Sequence, residues 1–83
     1  MGESSQADTI TSIRAAVLDK IPDATVEVTQ NGGGHYALSV TSPAFRGRSM
    51  LESHRLVYAA IAPLMAGDSA PVHAIDQLRT VVG

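Results

Sequence analysis

Two short runs in the first half of the chain alternate apolar and polar residues, and four reversal-prone residues stand between them. Residues 25–30 read TVEVTQ and residues 35–41 read HYALSVT. In an extended strand, successive side chains point to opposite faces. Val26 and Val28 therefore share one face, with Thr25, Glu27 and Thr29 on the other. Tyr36, Leu38 and Val40 likewise oppose His35, Ala37 and Ser39. Asn31, Gly32, Gly33 and Gly34 separate the runs. Asn-Gly tolerates positive φ and is a strong reversal signal. The pattern predicts a β-hairpin with its tip at residues 31–34, closed after the second strand by Ser42-Pro43. A lone hairpin is marginal in water, so the rest of the chain must cover its apolar face.

The glycines invite a second reading, a phosphate cradle. A Walker loop needs Lys and then Ser or Thr after its glycines, and a dinucleotide loop needs a helix there. Here His35 and Tyr36 follow and open another alternating run. Context excludes both phosphate readings.

Helical periodicity flanks the hairpin. Asp8 or Thr9 is placed to cap a helix, and Ile10, Ile13, Val17 and Ile21 recur at helical spacing until Pro22-Asp23. After the hairpin, residues 43–48 form a connector anchored by Phe45. Ser49 and Glu52 have the spacing of a capping box. Met50, His54, Val57, Tyr58, Ile61, Leu64 and Met65 then trace a helical stripe, ended by Gly67. Pro63 lies inside it and predicts a kink or an early loosening. Residues 72–82 fit two patterns. Ala74 or Ile75 with Leu78 and Val82 suits a helix. Val72, Ala74, Leu78, Thr80 and Val82 suit a strand, with Asp76 breaking the alternation. The order helix, hairpin, helix and a last strand predicts an α+β sandwich, two helices on one face of a small mixed sheet.

Length and composition narrow the function. With 83 residues, 45% of them hydrophobic, the chain has one small domain's worth of core. Residues 1–7 are small and polar and read as a flexible tail, with residues 8–83 as the domain. There is no cysteine, so the chain supplies no thiolate ligand, no cysteine nucleophile and no disulfide. The net charge of -2 argues against bulk attraction to nucleic acid. Arg46, Arg48 and Arg55 nevertheless cluster in sequence. The first residues lack the basic and apolar regions of a signal peptide, and no apolar run is long enough to span a bilayer. The expected setting is cytoplasmic, away from membranes.

Catalytic constellations are missing from the pattern. No HExxH motif, no G-x-S-x-G elbow and no carboxylate pair presents itself. The reading is non-enzymatic. Of the three histidines, His35 and His73 each open a strand-like run, where an imidazole is either a partly exposed polar residue or a ligand. His54 sits on the apolar side of the second helix, the place of a structural histidine.

Residues 45–65, FRGRSMLESHRLVYAAIAPLM, resemble the BolA family. The F-x-G pattern is Phe45 and Gly47; the helix that follows carries Ser49, His54, Arg55, Val57 and Tyr58. Val72-His73-Ala74 is similar to the family's opening of the last strand, and His35-Tyr36 to the pair that closes its hairpin. The likeness runs from about Ile10 to Val82. Two departures stand out: Ser53 where Arg is common, and residues 31–34 where cluster-binding relatives often carry a Cys or His.

The resemblance implies an α-β-β-α-β order with a class II KH-like sheet, and a strand over residues 73–81. It implies a monothiol glutaredoxin as partner, in an apo complex or around a shared 2Fe–2S cluster, with roles in cluster trafficking and iron homeostasis. Imidazole can replace thiolate on one iron of such a cluster. His73 is then the lead iron ligand and His35 the second candidate, with thiolates from the partner and glutathione. Phe45, Gly47, Arg48, His73 and Ala74 become the expected partner surface. The competing implication is a KH-like regulator that holds nucleic acid through Arg46, Arg48 and Arg55. Against it, Gly47 stands alone where KH recognition uses a GxxG loop. A scaffold that binds only apo-glutaredoxin is the third reading.

Overall fold

The computed structural model describes residues 5–83. Helix α1 spans Ser5–Lys20, strand β1 Thr25–Gly32, β2 His35–Ser42, helix α2 Met50–Met65 and β3 Ala74–Val82. This is the α-β-β-α-β order. The sheet has three strands in the order β1-β2-β3. β1 and β2 are antiparallel, whereas β2 and β3 are parallel. The sheet is therefore mixed, and α2 provides the crossover that a parallel pair requires.

The alternation read from residues 35–41 places the core. Tyr36, Leu38 and Val40 are buried, while Ala37 and Ser39 between them are only half-buried. Ile13, Val17 and Ile21 from the first helix and its exit, Val26 from β1, Val57 and Ile61 from α2, and Phe45 and Val72 complete one cluster. Each such side chain contributes about 1.5–3 kcal/mol on removal from water. Both helices thus lie on one face of the sheet. The opposite face stays open as a shallow depression lined by Glu27, Thr29, Ala37, Ser39, Gln77 and Arg79.

Several local expectations shift. The α1 backbone is already helical at Ser5, Gln6 and Ala7, which the composition assigned to the tail. Ala and Gln are good helix formers, and helix ends are graded rather than sharp. The rest of that tail, residues 1–4, lies outside the described residues. The hairpin turn falls at Gly33 and Gly34, with Asn31 and Gly32 drawn into β1. On α2, Met50 is 73% exposed and Tyr58 is also exposed, so neither belongs to the core stripe. The buried line runs instead through Ser53, Val57, Ala60 and Ile61. Ser53, where the family resemblance leads to an expectation of Arg, is 3% exposed within that line. Pro63 is accommodated in the last turn, and α2 ends two residues later, at Met65, with Ala66 as its extended C-cap.

The start of α2 matches its sequence signature in full. Ser49 Oγ accepts from the Glu52 N–H, and Glu52 Oε1 accepts from the Ser49 N–H. The F-x-G motif acquires a physical reason just upstream. Phe45 closes a 3-10 turn, Pro43–Phe45, and is 2% exposed in the core. Gly47 follows with φ +78°, a conformation that side chains with a Cβ disfavour. Anchor and reversal together aim the chain into α2.

Candidate functional site

Two histidines stand at one end of the sheet, each placed there by backbone pairing. His35 is the first residue of β2 and pairs with Ala74 at the start of β3. His73 immediately precedes Ala74. The approach to β3 is fastened in sequence. Val72 is fully buried and its N–H donates to Leu64 O at 3.1 Å, which satisfies a carbonyl of the last α2 turn. The His73 and Ala74 N–H groups then both donate to Gly34 O, at 2.8 and 3.1 Å. His73 is itself exposed. The exposed imidazole thus stands on backbone fastened by the N–H groups of Val72, His73 and Ala74.

Gly34 is the residue on which this depends. Its φ is +78°. A Cβ there would stand 2.7 Å from His73 Cγ and 2.9 Å from His73 Nδ1, inside contact distance. The imidazole of His73 thus lies over the bare α-carbon of Gly34. Gly33, by contrast, has open space at the same position. Of the glycines at the hairpin tip, Gly34 makes room for His73.

His35 lies on the open side, opposite in alternation to buried Tyr36. Its Nδ1 is 3.0 Å from Asp76 Oδ1, with the two side chains 49% and 41% exposed. Asn31 Nδ2 donates to the other carboxylate oxygen, Asp76 Oδ2, at 3.2 Å. The hydrogen bond with His35, and after it the one from Asn31, hold the Asp76 carboxyl below the ordinary aspartate range. Both partners of His35's cluster are irregularities. β1 pairs Gln30 with Tyr36 and Gly32 with His35, which leaves Asn31 as an extra residue. β3 pairs Ile75 with Tyr36 and Gln77 with Ala37, which leaves Asp76 as another.

The break in alternation at Asp76 was the visible signal of that second bulge. It shifts the phase of the strand. Ile75 and Leu78 therefore both pack against the core, while Val82, on the same side as Leu78 and paired with buried Ser42, is 51% exposed as the last residue of the strand. The cluster of Asn31, His35 and Asp76 itself was not legible, because its members are as much as 45 residues apart.

The remaining expected residues separate. His54 is half-buried on α2. Phe45 is buried in the core, so it offers a partner no side-chain surface; Gly47 and Arg48 beside it are exposed and Ala74 is half-buried. Arg48 Nε donates to Ala44 O at 3.0 Å. Arg48 and Arg55 line an open groove with Lys20, Glu52, Leu56 and Ala59, and Arg46 does not reach it. Among the described residues, no group of three or more His, Asp or Glu side chains is placed to hold a metal ion, and no helix is long and apolar enough to cross a membrane.

Fold and site together define a small α+β domain that presents imidazoles, and no thiol, where a hairpin tip meets the start of a parallel strand. The family model described as BolA-like protein matches residues 9–81. This chain belongs to the BolA family. It is 35% identical to BolA-like protein 1 of Pongo abelii over 82% of its own length, and 34% identical to BolA-like protein 1 of Homo sapiens over 93%. It spans 58% and 64% of the length of these curated relatives. Among solved structures it resembles a bol-like protein from Babesia bovis, with TM-score 0.69 and 25% identity, over 84% of this chain and 79% of that one.

Proposed function

We propose that this chain is an accessory protein that binds a monothiol glutaredoxin and shares a 2Fe–2S cluster with it in cluster trafficking and iron homeostasis. The observation that carries the reading is the His73 arrangement, an exposed imidazole over Gly34 on doubly fastened backbone, in a chain without cysteine. The donor set fits a share in such a cluster. Imidazole serves one iron in place of thiolate, and His73 and His35 are the residues that would hold it. The remaining ligands are thiolates, which the partner and glutathione supply. A cluster bound this way contributes electron storage and transferable iron and sulfide. The chain's own part is to place the imidazoles and to dock through the exposed surface around Gly47, Arg48, His73 and Ala74.

Mixing the chain with a monothiol glutaredoxin, iron, sulfide and glutathione, and recording visible circular dichroism, tests the proposal. The mixed spectrum should differ from that of the glutaredoxin alone, and His73→Ala should abolish the difference. Identical spectra with and without the chain would refute the shared cluster. A His73→Ala spectrum equal to wild type would remove His73 from the iron.

One observation favours a second reading, nucleic-acid binding. Lys20, Arg48 and Arg55 outnumber Glu52 around one groove in a chain of net negative charge, a local cationic excess of the kind that phosphate contacts use. A pull-down from native extract that returned nucleic acid and no glutaredoxin would reverse the ranking.

A further inference from the structure

The two extra residues of the sheet, Asn31 in β1 and Asp76 in β3, stand on either side of His35 and join across it. We infer that Asp76, braced by Asn31, is a positioning residue that holds His35 in its Nδ1-protonated tautomer and so leaves Nε2 as the atom His35 offers outward.

The argument starts from donor and acceptor capacity. An ionised carboxylate only accepts hydrogen bonds. Asp76 Oδ2 is already occupied by the Asn31 amide at 3.2 Å, and that donor favours the ionised form. The proton between His35 Nδ1 and Asp76 Oδ1, 3.0 Å apart, therefore resides on Nδ1. A neutral imidazole carries one proton, so Nε2 keeps its lone pair. Carboxylates that receive the distal N–H of a ligating histidine fix its tautomer and orientation and raise its basicity.

The bulges explain how the group assembles. Asp76 has no opposite residue on β2, because Tyr36 pairs with Ile75 and Ala37 with Gln77. Its side chain is therefore available to His35, one pairing step along the sheet. Asn31 is likewise unpaired on the other flank. Removal of either bulge would return these residues to ladder positions and separate them from His35. The Nε2 assignment to iron rests on the shared-cluster reading; the tautomer does not.

Long-range proton–nitrogen NMR of the histidine rings, on the full chain alone at a pH where imidazole is neutral, tests the tautomer. Wild type should show Nδ1–H at His35. In Asp76→Asn, the new amide accepts from Asn31 and donates to Nδ1, so His35 should switch to Nε2–H. Asp76→Ala should give a mixture. A wild-type Nε2–H form, or the same tautomer in all three proteins, would overturn the inference. A merely structural role for Asp76 would not produce the switch in Asp76→Asn.

The same variants, mixed with a monothiol glutaredoxin, iron, sulfide and glutathione, address the ligand role. Loss of the cluster should be roughly 10-fold faster with Asp76→Asn than with wild type. An unchanged lifetime despite a switched tautomer would overturn the positioning of Nε2 for iron. Failure of the wild-type mixture to form any cluster would remove the shared-cluster reading and leave the hold on the tautomer established by NMR.

Discussion

Replacing Gly34 with alanine strikes the contact on which the placement of His73 depends. Gly34 has φ +78°, and its missing Cβ is the space under the His73 ring. Three effects set the size of the change. Holding an alanine in the left-handed conformation costs about 1–2 kcal/mol. The stiffer unfolded chain returns about 0.4–1 kcal/mol. The new methyl would lie 2.7 Å from His73 Cγ and 2.9 Å from Nδ1, so the ring must turn away. Moving a side chain about 30° off its rotamer costs on the order of 0.5–1.5 kcal/mol. The net loss is about 2 kcal/mol, or a melting temperature roughly 10 °C lower for a domain of this size. Gly33→Ala is the control, since its Cβ meets open space and its φ is not in the left-handed region. That variant should unfold within about 1 kcal/mol of wild type. Urea denaturation measures both, and the His73 ring signals should shift in Gly34→Ala alone. Equal stability of the two variants, or an unmoved His73 ring in Gly34→Ala, would refute the close approach.

Two further outcomes follow from the geometry. Phe45→Ala removes a core side chain that is 2% exposed and should cost about 3–5 kcal/mol in urea denaturation. Any loss of partner binding in that variant then tracks the loss of folded protein and disappears when binding is scaled to the folded fraction. The Asp76 carboxyl, held low first by His35 and then by Asn31, should titrate by NMR below the ordinary aspartate value. A carboxylate with a depressed folded value stabilises the fold above its unfolded value, and that contribution fades as pH falls through the folded one. The window therefore lies below about pH 4, and the effect is small because the pair is exposed and screened. His35→Ala should return the Asp76 midpoint toward the ordinary value.

Local pattern carried most of the fold. The period-2 runs on either side of residues 31–34 required two strands with Tyr36, Leu38 and Val40 inward, and those three are buried. The Ser49–Glu52 spacing located the start of α2, and both hydrogen bonds of the cap are present. These features were legible because each depends on residues within a few positions of one another. The ambiguity at residues 72–82 was of another kind. Periodicity allowed helix or strand there, and pairing with β2 decides for strand.

The site divides along the same line. The residue types were visible in the sequence: exposed-type histidines at the starts of extended runs, three glycines, no cysteine, and an aspartate interrupting a strand pattern. That inventory determined which donors the chain has. Their arrangement came from the tertiary structure, because a strand pairing brings Gly34 beneath His73 and joins Asn31 to Asp76 across 45 positions of chain. Bulges are mismatches between two strands rather than properties of one, so neither strand announces them alone. The exposure of Met50 and Tyr58 is likewise a matter of tertiary packing. Periodicity states which residues share a face; the packing of α2 selects which face is covered, and the bulge at Asp76 brings Ile75 into phase with Leu78.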